Sequence, residues 1–241
     1  MLIERSMSDG YLTNTYLAAS TTGGPGFLVD AGGPMNPLFD FAVRESIDVT
    51  HLLLTHHHHD HVCDIDAVKA RYPKIIVLAH PDEPVEGARA FRPLRIGDVL
   101  VDAIHTPGHT AGMLNFTVDG HVFTGDTLFK NSIGGVRAPG STSFEDIKTS
   151  IMEELMILDF DTEVHPGHTD PTTIGGEWEN NPFIRVWRGL DPEGDEQVTV
   201  GGDAATLVVW GDDYDGGHKA WVRWPDGRDD IVPGSQVERA G

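Results

Sequence analysis

The residues His56-His57-His58-His59-Asp60-His61 place five imidazoles and one carboxylate in six consecutive positions. Buried singly in a core, each of these side chains would need a polar partner of its own. A metal ion uses several of them at once. Neutral imidazole suits zinc, iron and manganese, and a neighbouring carboxylate suits the harder of these ions. The cluster follows His51-Leu52-Leu53-Leu54, which reads as a buried strand, so the donors sit at a strand end. On these residues alone, a solvated His-rich loop with weak metal affinity is the other reading.

Three later stretches have the same form, a strand followed by a turn bearing a donor: Thr106-Pro107-Gly108-His109-Thr110, Thr124-Gly125-Asp126-Thr127 and His165-Pro166-Gly167-His168-Thr169. A Pro-Gly pair ahead of a histidine makes a tight turn that presents the imidazole at the strand end. One such turn is weak evidence, but three of them downstream of the His cluster make a shared cleft the economical reading.

Strands are predicted at 1–7, 13–18, 27–30, 49–54, 74–79, 99–105, 113–118, 121–124 and 162–165. Asp119-Gly120 marks a hairpin turn. Asn36-Pro37 looks like a helix start, with Asn as cap and Pro in the first turn, and Leu38, Phe41 and Ala42 form the buried stripe. Asp64 caps a short helix that Pro73 stops. Ser143 and Asp146 form a capping pair for a helix whose Phe144, Ile147, Ile151, Leu155 and Leu158 recur at helical spacing. Residues 80–95 read as a surface excursion, and 130–141 is Gly-rich without a period. Strands interspersed with helices in this order predict an α/β (α+β) fold, two sheets between helix layers. The catalytic domain is assigned to 1–189 and a small all-β, barrel-like appendage to 197–241, joined by an acidic linker. In the appendage, alternation puts Ala220, Val222 and Trp224 on one face and Lys219, Trp221 and Arg223 on the other. That second face is either a structural seam or a surface for substrate or partner. A module this small has a meagre core, so it should pack on the main domain or on another subunit, and a homo-oligomer fits that need.

The 241 residues carry a formal net charge of -21 with no basic stripe, which disfavours nucleic acid as a partner. No apolar run approaches the roughly 20 residues of a membrane span. Nor does the N-terminus have the order of a signal peptide. With Cys63 the only cysteine, no intrachain disulfide can form, and a cytoplasmic protein with a small-molecule substrate is expected.

The motifs together resemble the metallo-β-lactamase-fold hydrolases. The signature H-x-H-x-D-H falls on His56, His58, Asp60 and His61, and the later ligands fall on His109, Asp126 and His168. Thr-Gly-Asp-Thr-Leu-Phe at 124–129, with Thr-Thr-Ile-Gly-Gly-Glu at 172–177 and Asn-Pro-Phe at 181–183, is most similar to the glyoxalase II-type branch, whose members hydrolyse thioesters such as acylated glutathione. The resemblance covers about residues 10–185. It implies an αββα sandwich holding two divalent metal ions, zinc first, with iron or manganese as alternatives. His56, His58 and His109 would hold one ion, Asp60, His61 and His168 the other, and Asp126 would bridge them. A bridging hydroxide would cleave a thioester, ester or lactone, and Asp60 would orient it and accept its proton. Lys130, Arg137 and Trp221 are the candidate substrate residues.

His57 and His59 fill the variable positions of the signature and are expected to support ligands or face solvent. Cys63 is read as a small buried residue. His51, His80, His105, His121, His165 and His218 are read as structural or exposed, with His165 close enough to support a ligand. The chain departs from the branch at Val62-Cys63-Asp64, where Gly-Gly is common, and at Ser132-Ile133-Gly134-Gly135-Val136-Arg137, which lacks the branch's usual Arg and Asp. It also lacks the helical C-terminal domain of full-length glyoxalase II enzymes. These departures bear on the leaving group more than on the metals. Two other activities share most of this ligand set: a mononuclear iron oxygenase resembling persulfide dioxygenases, and a metal-binding member of the fold without catalysis.

Overall fold

A computed structural model of the chain describes residues 1–239. The final two residues of the 197–241 assignment lie outside the described residues. The first sheet runs in the order β1 (Leu2–Met7), β2 (Asn14–Ala19), β3 (Pro25–Val29), β4 (Asp48–Leu53), β5 (Ile76–Ala79), β6 (Arg89–Ala90). Its first three strands are antiparallel, and β3 to β6 are parallel. The second sheet runs in the order β14 (Thr172–Thr173), β13 (Glu163–Pro166), β10 (His121–Gly125), β9 (Leu114–Val118), β8 (Val99–His105), β7 (Leu94–Ile96), with β10 and β13 parallel neighbours. A two-stranded hairpin, β11 (Leu128–Phe129) and β12 (Ser132–Ile133), lies in the stretch after Asp126.

Side-chain alternation assigns each strand residue to a layer. Tyr16, Ala18, Phe27, Val29 and Leu53 of the first sheet meet Val101, Leu114, Phe116, Val118 and Phe123 of the second to form the central core. The intervening residues Leu17, Ala19, Leu28 and Leu52 point outward, against Leu38, Phe41 and Ala42 of α1 (Met35–Arg44) and Ile65 and Val68 of α3 (Ile65–Arg71). On the other side, Val122 and Val164 pack under Phe144 and Ile147 of α4 (Phe144–Thr149), Ile174 of α5 (Ile174–Asn180) and Phe183 of α6 (Pro182–Trp187). This is the αββα sandwich. Each large aliphatic or aromatic side chain buried in it contributes about 1.5–3 kcal/mol against exposure.

Of the predicted caps, Ser143 makes its side-chain bond, whereas Asp64 stands at the N-cap position of α3 without one. The Ser143 hydroxyl accepts from the Asp146 amide, and α4 runs on into a π-helical turn, Ser150–Leu155, which keeps Ile151 and Leu155 buried. Two other expectations change. The first helix begins at Met35 behind Pro34, without a side-chain cap, so Asn36 and Pro37 lie inside its first turn. Cys63 is exposed rather than buried, because it sits at the C-terminal end of the one-turn α2 (His59–Val62), whose inward face is taken by His61.

The C-terminal strands β15 (Glu196–Val200), β16 (Asp203–Asp212), β17 (His218–Arg223) and β18 (Asp229–Pro233) form a meander that curls until β19 (Val237–Arg239) pairs with β15. One face is a small core containing Val198, Leu207, Ala220, Val222 and Val232. The other carries Val208, Val209, Trp221 and Ile231 onto Phe144, Trp187 and the α6 layer. The module is thus packed on the sandwich through the face that holds Lys219 and Trp221. Among the described residues, no helix is long and apolar enough to cross a membrane.

Candidate metal centre

Parallel strands deliver their following loops to one edge of the sandwich. The chain leaves β4 at Leu53 and enters the His cluster, β8 and its turn lead to His109, β10 leads to Asp126, and β13 leads to His168. The seven residues form overlapping sets of three whose donor atoms lie within 4.8 Å of one another: His56, His58 and His109; His56, His61 and Asp126; Asp60, His61 and His168. His58 Nδ1 faces His109 Nε2 at 2.9 Å. Asp126 Oδ2 lies 3.4 Å from both His109 Nε2 and His168 Nε2, while its Oδ1 is 3.2 Å from His61 Nε2. Asp60 Oδ2 is 3.5 Å from His61 Nε2 and 3.6 Å from His168 Nε2. Ligands about 2.0–2.2 Å from a tetrahedral ion lie roughly 3.3 Å from each other, so these spacings suit cations. Asp126 faces His109, His168 and His61 at once, and His56 and His61 each belong to two of the three sets.

The outer nitrogens are committed elsewhere, which fixes the inner ones as ligands. His61 Nδ1 meets Asp30 Oδ2 at 2.8 Å, His109 Nδ1 meets the Gly135 carbonyl at 2.8 Å, His168 Nδ1 meets the Leu12 carbonyl at 3.1 Å, and His58 Nε2 meets the Pro139 carbonyl at 2.9 Å. Thr55 donates its hydroxyl to Asp30 Oδ2 at 2.8 Å and so accepts from His56 Nδ1 at 3.0 Å. What remains inside is telling: His56 Nε2, His61 Nε2 and Asp126 Oδ1 are buried without a hydrogen-bond partner. Orphaned buried polar atoms are costly, and a metal ion is the partner that these three accept in common. The residues fit such ions.

The electrostatics agree. Burial, reinforced by His61, pushes His56 well below the ordinary imidazole range, and burial brings His109 down to about 4, so both are neutral and offer lone pairs. Burial works against a charge on Asp126, yet His168 and His61 hold its carboxyl well below the usual range. His61 differs: burial opposes charge, but the carboxylates of Asp126 and Asp30 outweigh it and raise the imidazole, so a cation at its inner nitrogen would take the place of a proton.

Beside these donors opens a cleft of about 270 Å³, lined by His109, Asp126, Phe129, Gly135 and Arg137 from the sandwich and by Asp213, Tyr214, Lys219 and Pro233 from the C-terminal module. Tyr214 stacks on the His168 ring at 4.0 Å. Lys219 is buried: its ammonium donates to the Ile133 carbonyl at 2.8 Å, pairs with Asp213 at 3.2 Å, and lies over the Phe129 ring. Arg137 is exposed at the rim and donates to Gln236 at 3.0 Å.

Of the other sequence candidates, Lys130 is exposed and does not line this cleft. Trp221 does not reach it either, because at 3% exposure it fills the seam between module and sandwich. His59 is exposed and meets Tyr11 edge-on. His57 turns away from the donors toward Glu83. His165 pairs with His121, not with a ligand. The sequence reading missed Asp30, Glu83 and Tyr214. Glu83 lies within the supposed surface excursion yet is 5% exposed, and it accepts from the His57 amide at 2.8 Å, the Thr110 hydroxyl at 2.6 Å and the Gly112 amide at 3.0 Å. No local pattern marks it or Tyr214. Asp30, at the end of β3 with φ 61°, was visible only as the close of a strand.

Fold and donor set define a metal-binding αββα protein. The sequence pattern of the metallo-beta-lactamase superfamily matches residues 8–96. A "Probable metallo-hydrolase" of Streptococcus pyogenes is 34% identical over 55% of this chain and 69% of its own length. A hydroxyacylglutathione hydrolase of Xanthomonas axonopodis pv. citri is 36% identical over 46% of this chain and 45% of its own length. Among solved structures, TTHA1623 in a di-iron-bound form superposes with a TM-score of 0.63 and 28% identity, covering 74% of this chain and 98% of that one. The chain belongs to the metallo-beta-lactamase superfamily.

Proposed function

We propose that this protein is a dinuclear metal hydrolase acting on a small thioester, ester or lactone, with His56, His58 and His109 holding one ion, Asp60, His61 and His168 the other, and Asp126 between them. The observation that carries this reading is the convergence of seven donors into three overlapping triads, with Asp126 Oδ2 3.4 Å from both His109 Nε2 and His168 Nε2. The hydroxyacylglutathione hydrolase relative and the di-iron form of the structural neighbour support it. Two bound divalent ions, zinc first, would supply hydroxide at neutral pH and polarise an acyl oxygen.

The chain supplies the rest. Asp60, tethered through the Thr13 hydroxyl at 2.8 Å and partly exposed, orients the attacking water and takes its proton. Tyr214 and Phe129, set edge to face with ring centroids 5.7 Å apart, give the cleft an aromatic wall for the acyl or leaving group. Arg137 at the rim supplies a cation for an anionic group of the substrate, while the Lys219 ammonium is taken up by Asp213. The acidic surface, the lone cysteine and the absence of a basic stripe support a cytoplasmic enzyme of small molecules.

The test combines metal analysis of protein purified without chelators with hydrolysis of acyl-glutathione and simpler thioesters. At least two divalent ions per chain, with turnover that falls at least a hundredfold in Asp126→Asn, is the expected result. A single iron with thiol-dependent oxygen uptake would replace hydrolysis by an oxygenase, and bound metal without turnover on a thioester, ester and lactone panel would leave a binding protein.

A further inference from the structure

A second group of donors lies on β10 and β13, the strands that lead to Asp126 and His168. β10 and β13 are parallel, with His121 opposite Glu163 and Phe123 opposite His165. The two-residue period therefore puts His121, Glu163 and His165 on one face of neighbouring strands. His121 Nδ1 and His165 Nε2 are 3.1 Å apart, His121 Nδ1 and Glu163 Oε2 are 3.5 Å apart, and His165 Nε2 and Glu163 Oε2 are 3.8 Å apart. The three edges bracket the roughly 3.3 Å expected between ligands of a tetrahedral zinc ion. Asp126 lies five residues beyond His121 and His168 three residues beyond His165, about 16 Å and about 10 Å at roughly 3.3 Å per strand residue, so the two groups do not share a donor.

We propose that His121, Glu163 and His165 form a further binding site for a zinc-like divalent metal ion, with a fourth position open to solvent. His165 is held as a ligand should be: 5% exposed, its ring stacked on Phe123 at 4.9 Å and met edge-on by Tyr16 at 5.5 Å. Burial lowers its pKa to about 4, so it is a neutral imidazole at physiological pH. Its Nδ1 is buried without a hydrogen-bond partner, so Phe123 and Tyr16 orient the ring by packing and not by a hydrogen bond. Glu163 is exposed and His121 half-buried, which leaves the ion a path in from an open cavity of about 460 Å³. Arg5 lines the same cavity, but its guanidinium is engaged by the Thr169 carbonyl at 2.8 Å and Asp170 at 3.0 Å. Binding displaces the proton shared between His121 Nδ1 and His165 Nε2, and each neutral ring then carries its one proton on its other nitrogen, His121 Nε2 and His165 Nδ1. It ties together the two strands whose other ends present Asp126 and His168.

The experiment titrates chelator-stripped full-length protein with zinc chloride alone and compares wild type with His121→Ala and Glu163→Gln, both changes of solvent-reachable side chains. Because the readout is a difference in stoichiometry, it stands whatever the first centre holds. Wild type is expected to take up one equivalent more than His121→Ala, and Glu163→Gln to bind that equivalent at least tenfold more weakly, with thioester turnover unchanged in both. Equal stoichiometry and affinity in all three proteins would overturn the proposal.

Discussion

At the scale of single residues, the centre depends as much on what is missing as on what is present. Gly167 precedes His168, and a Cβ there would stand 2.4 Å from Asp126 Oδ1 and 2.8 Å from His61 Cε1. The loop can bring His168 in only because no side chain intervenes. Gly167→Ala is expected to fold, since the clash is local, but to bind zinc about 10–100-fold more weakly, in line with other changes just outside a ligand shell. Competition with a chromogenic chelator measures the affinity, and unchanged binding would show that the loop relaxes at no cost. The donors themselves were legible from types and spacing, since six ligand-type side chains in a row and three turns of one form are chemical facts. Their supporting atoms were not, because a partner such as the Leu12 or Pro139 carbonyl carries no signature in the sequence.

At the scale of elements, loops from different strands must hold fixed positions relative to each other. Glu83 does this for two of them. One carboxylate oxygen takes the His57 amide, and the other takes Thr110 and Gly112 beside His109. In Glu83→Ala these buried donors lose their acceptor, at about 1–3 kcal/mol each before relaxation. The variant is expected to lose about 2–4 kcal/mol of stability in urea unfolding and to hold metal more weakly, because the His58 and His109 loops are no longer joined. An unchanged unfolding midpoint would reduce Glu83 to a bystander. The segment around it read as a Pro-rich excursion because backbone propensity says nothing about one side chain turning inward.

For the whole molecule, the C-terminal sheet is both a wall of the cleft and a cover for the outer helix layer. Its own core is small, and Trp221 extends the apolar contact onto Phe144 and Trp187. Trp221→Ala removes a fully packed aromatic and is expected to cost about 3–5 kcal/mol, lowering Tm by roughly 10 °C. It should also raise KM more than it lowers kcat, since Tyr214 and Lys219 ride on the same sheet but the metal donors do not. Calorimetry and steady-state kinetics on one preparation test both, and equal falls in kcat and kcat/KM would place the module in the chemical step instead.

The sequence by itself determined the layer order, through strand alternation and helical stripes, and the candidate donors, as one run of ligand-type residues and three turns, while the choice of His56, His58, Asp60 and His61 within the run came from the family signature. Both are local properties, written within a few residues of each other. The tertiary structure decided what the face of Lys219 and Trp221 does. Alternation put the two together, but only packing buried the indole in the seam and left the ammonium at the edge of the cleft. It also decided that Tyr214 lies on His168 and that Glu83 turns inward, because these contacts join residues 26 to 46 positions apart. No local propensity encodes a contact at that separation; it exists only once the sheets and module have stacked.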